Sequence, residues 1–146
     1  MIIRMDHINI VVSDLERAKI FFLNLGFEII EEARLSGNRL SIVTKLACME
    51  AKYVAIALPG AQTKLELIEY ITPQGAKSPF LDRANQIGLR HIAFAVEDIH
   101  AAVRQMKARG VVFQSEIQVW EGSGKQMVYF YGPDGILLEL AQYPDS

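Results

Sequence analysis

The stretch LRHIAFAVEDIHAAVRQMKARGV, residues 89–111, repeats an arrangement already written near the start of the chain as RMDHINIVVSDLERAKIFFLNLGF, residues 4–27. Laid over one another without a gap, the two align His91 with His7, Val96 with Val12, Asp98 with Asp14, Ile99 with Leu15, Ala102 with Ala18 and Gly110 with Gly26. In the first copy, residues 5–12 alternate and are rich in Ile and Val, which predicts a strand. The spacing of Ser13 and Glu16 reads as a helix start with Ser13 as N-cap. Leu15, Ala18, Phe22 and Leu25 then recur at helical intervals, and Gly26 supplies the stop. In the second copy RHIAFAV is the strand, Asp98 caps a helix carrying Ile99, Ala102, Val103 and Met106, and Gly110 ends it.

Outward from these segments the repeat reaches the end of each half. LELIEY (65–70) matches LELAQY (138–143), which sets Glu66 on Glu139. In the first half FEIIEEA, YVAIAL and KLELIEY read as strands, SGN (36–38) and Pro59-Gly60 as turns, and 34–52 must hold extra residues. In the second half VVFQSEI, QMVYFY and ILLELAQY read as strands, the last two joined by GPDG. Between the halves SPFLDRANQIG (78–88) reads as a short helix with Pro79 at its first position. The expected fold is therefore α+β, two tandem β-α-β-β-β modules at about 4–72 and 88–143 within a single domain spanning 1–146.

Composition narrows the function. The chain has 146 residues, a formal net charge of −2 and 51% hydrophobic residues, which suits a folded globular protein and lacks the basic footprint of a nucleic-acid binder. No apolar run reaches membrane-spanning length. The opening MIIRMDHINIVV is interrupted by Asp6 and His7 and is not expected to be a leader. The lone Cys48 has no internal disulfide partner, so a reduced, cytoplasmic setting is expected.

Strand parity says where the polar residues of the repeat face. Ile8, Ile10 and Val12 share one side of their strand, and His7, Asn9 and Val11 share the other. In the copy, Ile92, Phe94 and Val96 lie opposite His91 and its small neighbours Ala93 and Ala95. Leu65 and Leu67 lie opposite Glu66, and Leu138 and Leu140 lie opposite Glu139. A single histidine or glutamate of this kind is ordinarily a satisfied or solvated side chain. Two of each, duplicated and on the less apolar faces, form a set that suits a divalent ion. Nickel, cobalt, zinc, manganese and iron all accept such donors.

The paired modules and the motifs MDHINIVVSDLERAKIFF, LELIEY, GLRHIAFAVEDI and YGPDGILLEL resemble the vicinal oxygen chelate superfamily, which includes glyoxalase I, methylmalonyl-CoA epimerase, extradiol dioxygenases and bleomycin-resistance proteins. The resemblance covers nearly the whole chain. It implies an eight-stranded curled half-barrel with His7, Glu66, His91 and Glu139 as metal ligands, and a small-molecule substrate. It also implies proton transfer next to a metal-bound carbonyl, in the manner of an epimerase, an isomerase or a lyase. Glu139 is the expected base and Glu66 the second choice. Glu50, sixteen residues before Glu66, falls near a glutamate implicated in the epimerases, although a solvated loop residue is the plainer reading. Asn9, Tyr70 and Tyr143 share the parity of the ligands and are candidate substrate contacts. Departures matter: the stretch after Glu66, LIEYITPQG, differs from that of glyoxalase I, and a fourth ligand in Glu66 counts against ring-cleaving dioxygenase chemistry. The alternative from another class is a non-catalytic, bleomycin-resistance-like module that binds a small molecule. His100, Cys48, Trp120 and the 121–126 stretch are expected at the surface or in a hairpin loop. Free sheet edges favour a homodimer.

Overall fold

A computed structural model describes residues 1–144 and divides the chain into two compact units, Met1–Lys77 and a second beginning at Ser78. In the first unit, strand β1 (His7–Val11) leads into helix α1 (Leu15–Leu23), followed by β2 (Glu28–Ser36), helix α2 (Asn38–Thr44), β3 (Glu50–Ala57) and β4 (Lys64–Thr72). Its sheet runs β1-β4-β3-β2, with β1 parallel to β4 and the other pairings antiparallel. The second unit holds β5 (His91–Ala95), α3 (Ile99–Ala108), β6 (Gln118–Val119), β7 (Gln126–Tyr131) and β8 (Leu137–Gln142). Its order, β5-β8-β7-β6, repeats that of the first unit, again with the outer helix-bearing strand parallel to its neighbour. The β-α-β-β-β reading of each half therefore holds.

One face of each sheet is closed by its helix. Leu15, Ala18 and Phe22 are buried, as are Val54, Ile56, Leu65 and Leu67 of the sheet beneath them. Ile99, Val103 and Met106 are buried in the second unit, as are Val128, Phe130, Leu138 and Leu140. These strand residues have the parity expected for the helix side, and each large side chain withdrawn from water contributes about 1.5–3 kcal/mol. Both helices start in the same way. Asp14 accepts from the Arg17 amide at 3.0 Å and Asp98 from the Ala101 amide at 2.9 Å. The cap of α1 is thus Asp14 and not Ser13: Asp14 is still extended (φ −144°), so the helix begins one residue later than the Ser13–Glu16 spacing suggests. Glu16 instead pairs with Lys19 in the first turn, at 3.0 Å. A second cap comes from the sheet. Glu69 Oε2 accepts from the Leu15 amide at 3.0 Å, and Gln142 Oε1 from the Ile99 amide at 2.8 Å. Each capping residue lies three positions after the repeat's glutamate, so the module copies its helix anchor together with its candidate ligand.

Three further sequence expectations fail, each for a local reason. The turn at 36–38 is the entrance to α2, which starts after Gly37 (φ +108°) and ends on Lys45 in the left-handed region. Leu40 and Leu46 pack with Leu35, Tyr53 and Tyr70 on buried Met49, Ala51 and Ile68, so a small apolar cluster outweighs the turn signal. The stretch VVFQSEI is not a strand beyond one bridge, Phe113 to Phe130. Its backbone docks through Tyr131 N–H to Val112 O (3.0 Å) and Gln114 N–H to Tyr129 O (2.9 Å), and ladder pairing resumes only at β6. Residues 78–88 form turns and not a helix. Arg90 donates to the carbonyls of Phe80 (3.3 Å) and Arg83 (3.1 Å), groups that a helix would have bonded internally. Between β7 and β8, GPDG folds as a 3-10 turn at Pro133–Gly135, with Asp134 at φ +58°. A β-carbon at Gly132 would fall 2.8 Å from the end of the Leu138 side chain, so any larger residue there would push that buried leucine aside.

Candidate metal centre

β1 and β4 lie side by side in the first unit, with Asn9 opposite Glu66. His7 and Glu66 project from the face that α1 leaves uncovered, and His7 Nε2 is 3.2 Å from Glu66 Oε2. The other ring nitrogen, Nδ1, lies 2.9 Å from Asp6 Oδ2, and Asp6 is paired in turn with Arg4 at 2.6 Å. The contact with His7 and then the charge of Arg4 hold the Asp6 carboxyl below its ordinary range. A carboxylate on one ring nitrogen is the usual support for a histidine that ligates through the other. An imidazole whose Nδ1 donates to Asp6 presents a bare lone pair to the Glu66 oxygen, and a cation shared by both atoms removes that conflict. The second oxygen of Glu66, Oε1, accepts from the Tyr53 hydroxyl at 3.1 Å. Burial, followed by the bond to Glu66, pushes the Tyr53 phenol up to about 12, so it remains a donor. Asn9 donates weakly to the Glu66 carbonyl at 3.4 Å.

The second unit repeats the pair. Ala93 lies opposite Glu139, and His91 Nε2 is 3.0 Å from Glu139 Oε2. Tyr129, directly across from Glu139, sets its ring 5.0 Å from that of His91. Glu139 is the one buried charged residue among those described, its side chain only 4% exposed. Its countercharge is Lys125, with Nζ 2.9 Å from Oε1. That contact lacks the direction of a hydrogen bond, so Oε1 is a buried oxygen with an uncommitted lone pair. The carboxylate raises the affinity of Lys125 for its proton, and the ammonium also lies 5.4 Å from the Tyr143 ring. A buried carboxylate with one oxygen beside an imidazole and the other without a directed hydrogen bond fits a divalent cation.

The four expected ligands are therefore met as two His–Glu pairs, one per unit. Among the described residues no group of three or more His, Cys, Asp or Glu side chains is gathered closely enough to hold an ion by itself. Glu50 is the exposed first residue of β3, opposite Ser36 and Thr72. Tyr70 packs half-buried on the Met49–Ala51–Ile68 cluster. His100 lies at the surface, 3.1 Å from Gln126. Cys48 is exposed, and residues 120–124 form the hairpin loop between β6 and β7. The sequence reading missed Tyr53 and Lys125. Tyr53 lies two residues from Ala55, which the structure pairs with Glu66, and such diagonal neighbours on one sheet face touch, but the sequence alone does not give that register.

Among the described residues no helix is long and apolar enough to cross a membrane. Residues 4–140 match the family model of the glyoxalase/bleomycin resistance protein/dioxygenase superfamily. Human mitochondrial methylmalonyl-CoA epimerase is 32% identical over 95% of this chain and 73% of its own length. The ethylmalonyl-CoA/methylmalonyl-CoA epimerase of Cereibacter sphaeroides is 32% identical over 97% of this chain and 99% of its own. The crystal structure of a glyoxalase family protein from Bacillus cereus superposes with a TM-score of 0.91 at 28% identity, covering 99% of this chain and 97% of that one. With the match running through both His–Glu pairs, the chain belongs to the glyoxalase/bleomycin resistance protein/dioxygenase superfamily.

Proposed function

We propose that the protein is a divalent-metal-dependent epimerase or isomerase that moves a proton on the carbon next to a carbonyl of a small-molecule substrate. The observation that carries this reading is the repeated contact between a histidine Nε2 and a glutamate Oε2, at 3.2 Å in one unit and 3.0 Å in the other. His7, Glu66, His91 and Glu139 would hold the ion, the two pairs coming from one chain or from two copies in a homodimer. When bound, such an ion supplies the positive charge that makes a proton beside a coordinated carbonyl removable. Asp6 orients His7, and Tyr53 fixes the Glu66 carboxylate by donating to Oε1. Glu139 accepts the proton at a carboxylate oxygen and returns it, its burial keeping bulk water from competing for that oxygen. Asn9 and Tyr143 flank the ligands as substrate contacts, and Glu50 enters as a second base only if the reaction inverts a centre by a two-base route. The named relatives support acyl-CoA thioesters as the first substrates to try, and a cytoplasmic setting belongs to the same proposal.

The test combines metal binding with isotope exchange. Calorimetric titration should show one divalent ion bound, with His7→Ala and His91→Ala each weakening it by about 100-fold or more. The metal-loaded protein should exchange solvent deuterium into the α-carbon of an acyl-CoA thioester, and Glu139→Gln should abolish exchange. Absence of any bound ion, together with tight binding of an unreacted small molecule, would replace this reading with that of a sequestering module.

A further inference from the structure

The two glutamates of the repeat are backed by different groups. Glu66 has a neutral phenol on Oε1, whereas Glu139 has the ammonium of Lys125 at 2.9 Å. A phenol can keep its hydrogen bond when a cation arrives on the same carboxylate. An ammonium is itself a cation, and like charges on one buried carboxylate repel strongly where water does not screen them. The Lys125 contact has the distance of an ion pair without the direction of a hydrogen bond, so charge is what it contributes. Lys125 is also free to leave. It follows the hairpin loop 120–124, its side chain is 24% exposed, and the Tyr143 ring offers a second resting place for the charge. Nothing in the first unit corresponds to it, because Ala51 stands at the matching place opposite Tyr70 under the α2 cluster.

From this arrangement we infer that Lys125 is the stand-in counter-ion of Glu139: it neutralises the buried carboxylate in the metal-free protein and competes with the divalent ion for it. The inference rests on the proposed metal site. It has a definite sign, opposite to that of an ordinary supporting residue: removing Lys125 tightens metal binding. The metal-free protein, conversely, loses the countercharge of a buried carboxylate and becomes less stable.

The experiment uses the full chain, stripped with chelator, and titrates it calorimetrically with manganese(II), cobalt(II) or zinc alone. Lys125→Met should bind the ion about tenfold more tightly than the parent, and Lys125→Arg, which keeps the charge, should bind like the parent. Thermal unfolding in chelator should show Lys125→Met melting below the parent, and added ion should raise its melting point by more than it raises the parent's. If the parent binds the ion and Lys125→Met binds it equally or less tightly, Lys125 is a supporting residue and the inference falls while the metal site stands. If neither protein binds an ion, the metal site and the inference fall together.

Discussion

The first unit backs its candidate glutamate with a neutral phenol and apolar neighbours, and the second backs the matching glutamate with a charge. Glu66 is 16% exposed and bonded by Tyr53, and further along that face α2 lays its leucines over Met49, Ala51 and Ile68. Glu139 is 4% exposed and ion-paired to Lys125, and among the described residues no helix corresponds to α2. Strand order, helix caps and ligand positions are common to both. Duplication has preserved what positions the His–Glu pair and left free what surrounds it. The surroundings decide how tightly each carboxylate is held and what may share it.

The helix cores should give the largest differences. Phe22 and Met106 occupy equivalent places in α1 and α3, 0% and 6% exposed. Phe22→Ala should cost about 4 kcal/mol and Met106→Ala about 3 kcal/mol by denaturant unfolding. A reversed order would mean that the second unit carries more of the stability than its shorter strands suggest. The sheet-to-helix caps come next. Glu69→Ala and Gln142→Ala should each cost about 1 kcal/mol, comparable to losing a helix cap, and neither should change ion affinity in calorimetry. Unequal costs would break the equivalence of the two anchors, and a loss of metal binding with Glu69→Ala would show that the wrong glutamate of β4 was chosen as ligand.

The smallest effect concerns Tyr53. Its phenol stands at about 12 in the folded chain against an ordinary value of 10.0, raised first by burial and then by Glu66. The folded state thus holds this proton more tightly than the unfolded state does. The stability this contributes is complete below pH about 10 and is lost as pH rises towards about 12. Tyr53→Phe should accordingly flatten the alkaline fall of unfolding stability in that window, measured against the parent. The same variant should weaken ion binding modestly, by up to about tenfold, in the direction opposite to Lys125→Met. A parent-like alkaline limb would remove Tyr53 from its place beside Glu66.

The repeat made the architecture legible, because an ungapped match from His7 to Gly26 carries a strand, a helix and a stop together. Period-two alternation then put His7, Glu66, His91 and Glu139 on the faces opposite the buried leucines and isoleucines, as the structure has them. Reading failed at α2, which has no counterpart among the described residues, and at 111–117, which matches β2 in the repeat but meets β7 at one bridge and not a full ladder. Tyr53 and Lys125 escaped for a related reason. Each acts across a strand pairing whose register depends on bulges and loop lengths that composition does not encode. Lys125 in addition reaches its partner with a long flexible stem from outside the strand.

Trp120, the chain's one tryptophan, stands 66% exposed at the mouth of the hairpin loop, with its amide donating to the Lys125 carbonyl at 2.7 Å. The indole is thus a native fluorophore tethered five residues from the ammonium that shields Glu139. Its emission, red-shifted by contact with water, will register any rearrangement of the loop that accompanies the release of that ammonium. Ion arrival at Glu139 can then be followed by tryptophan emission, in the unlabelled protein and on the stopped-flow timescale, because Trp120 is the only indole in the sequence.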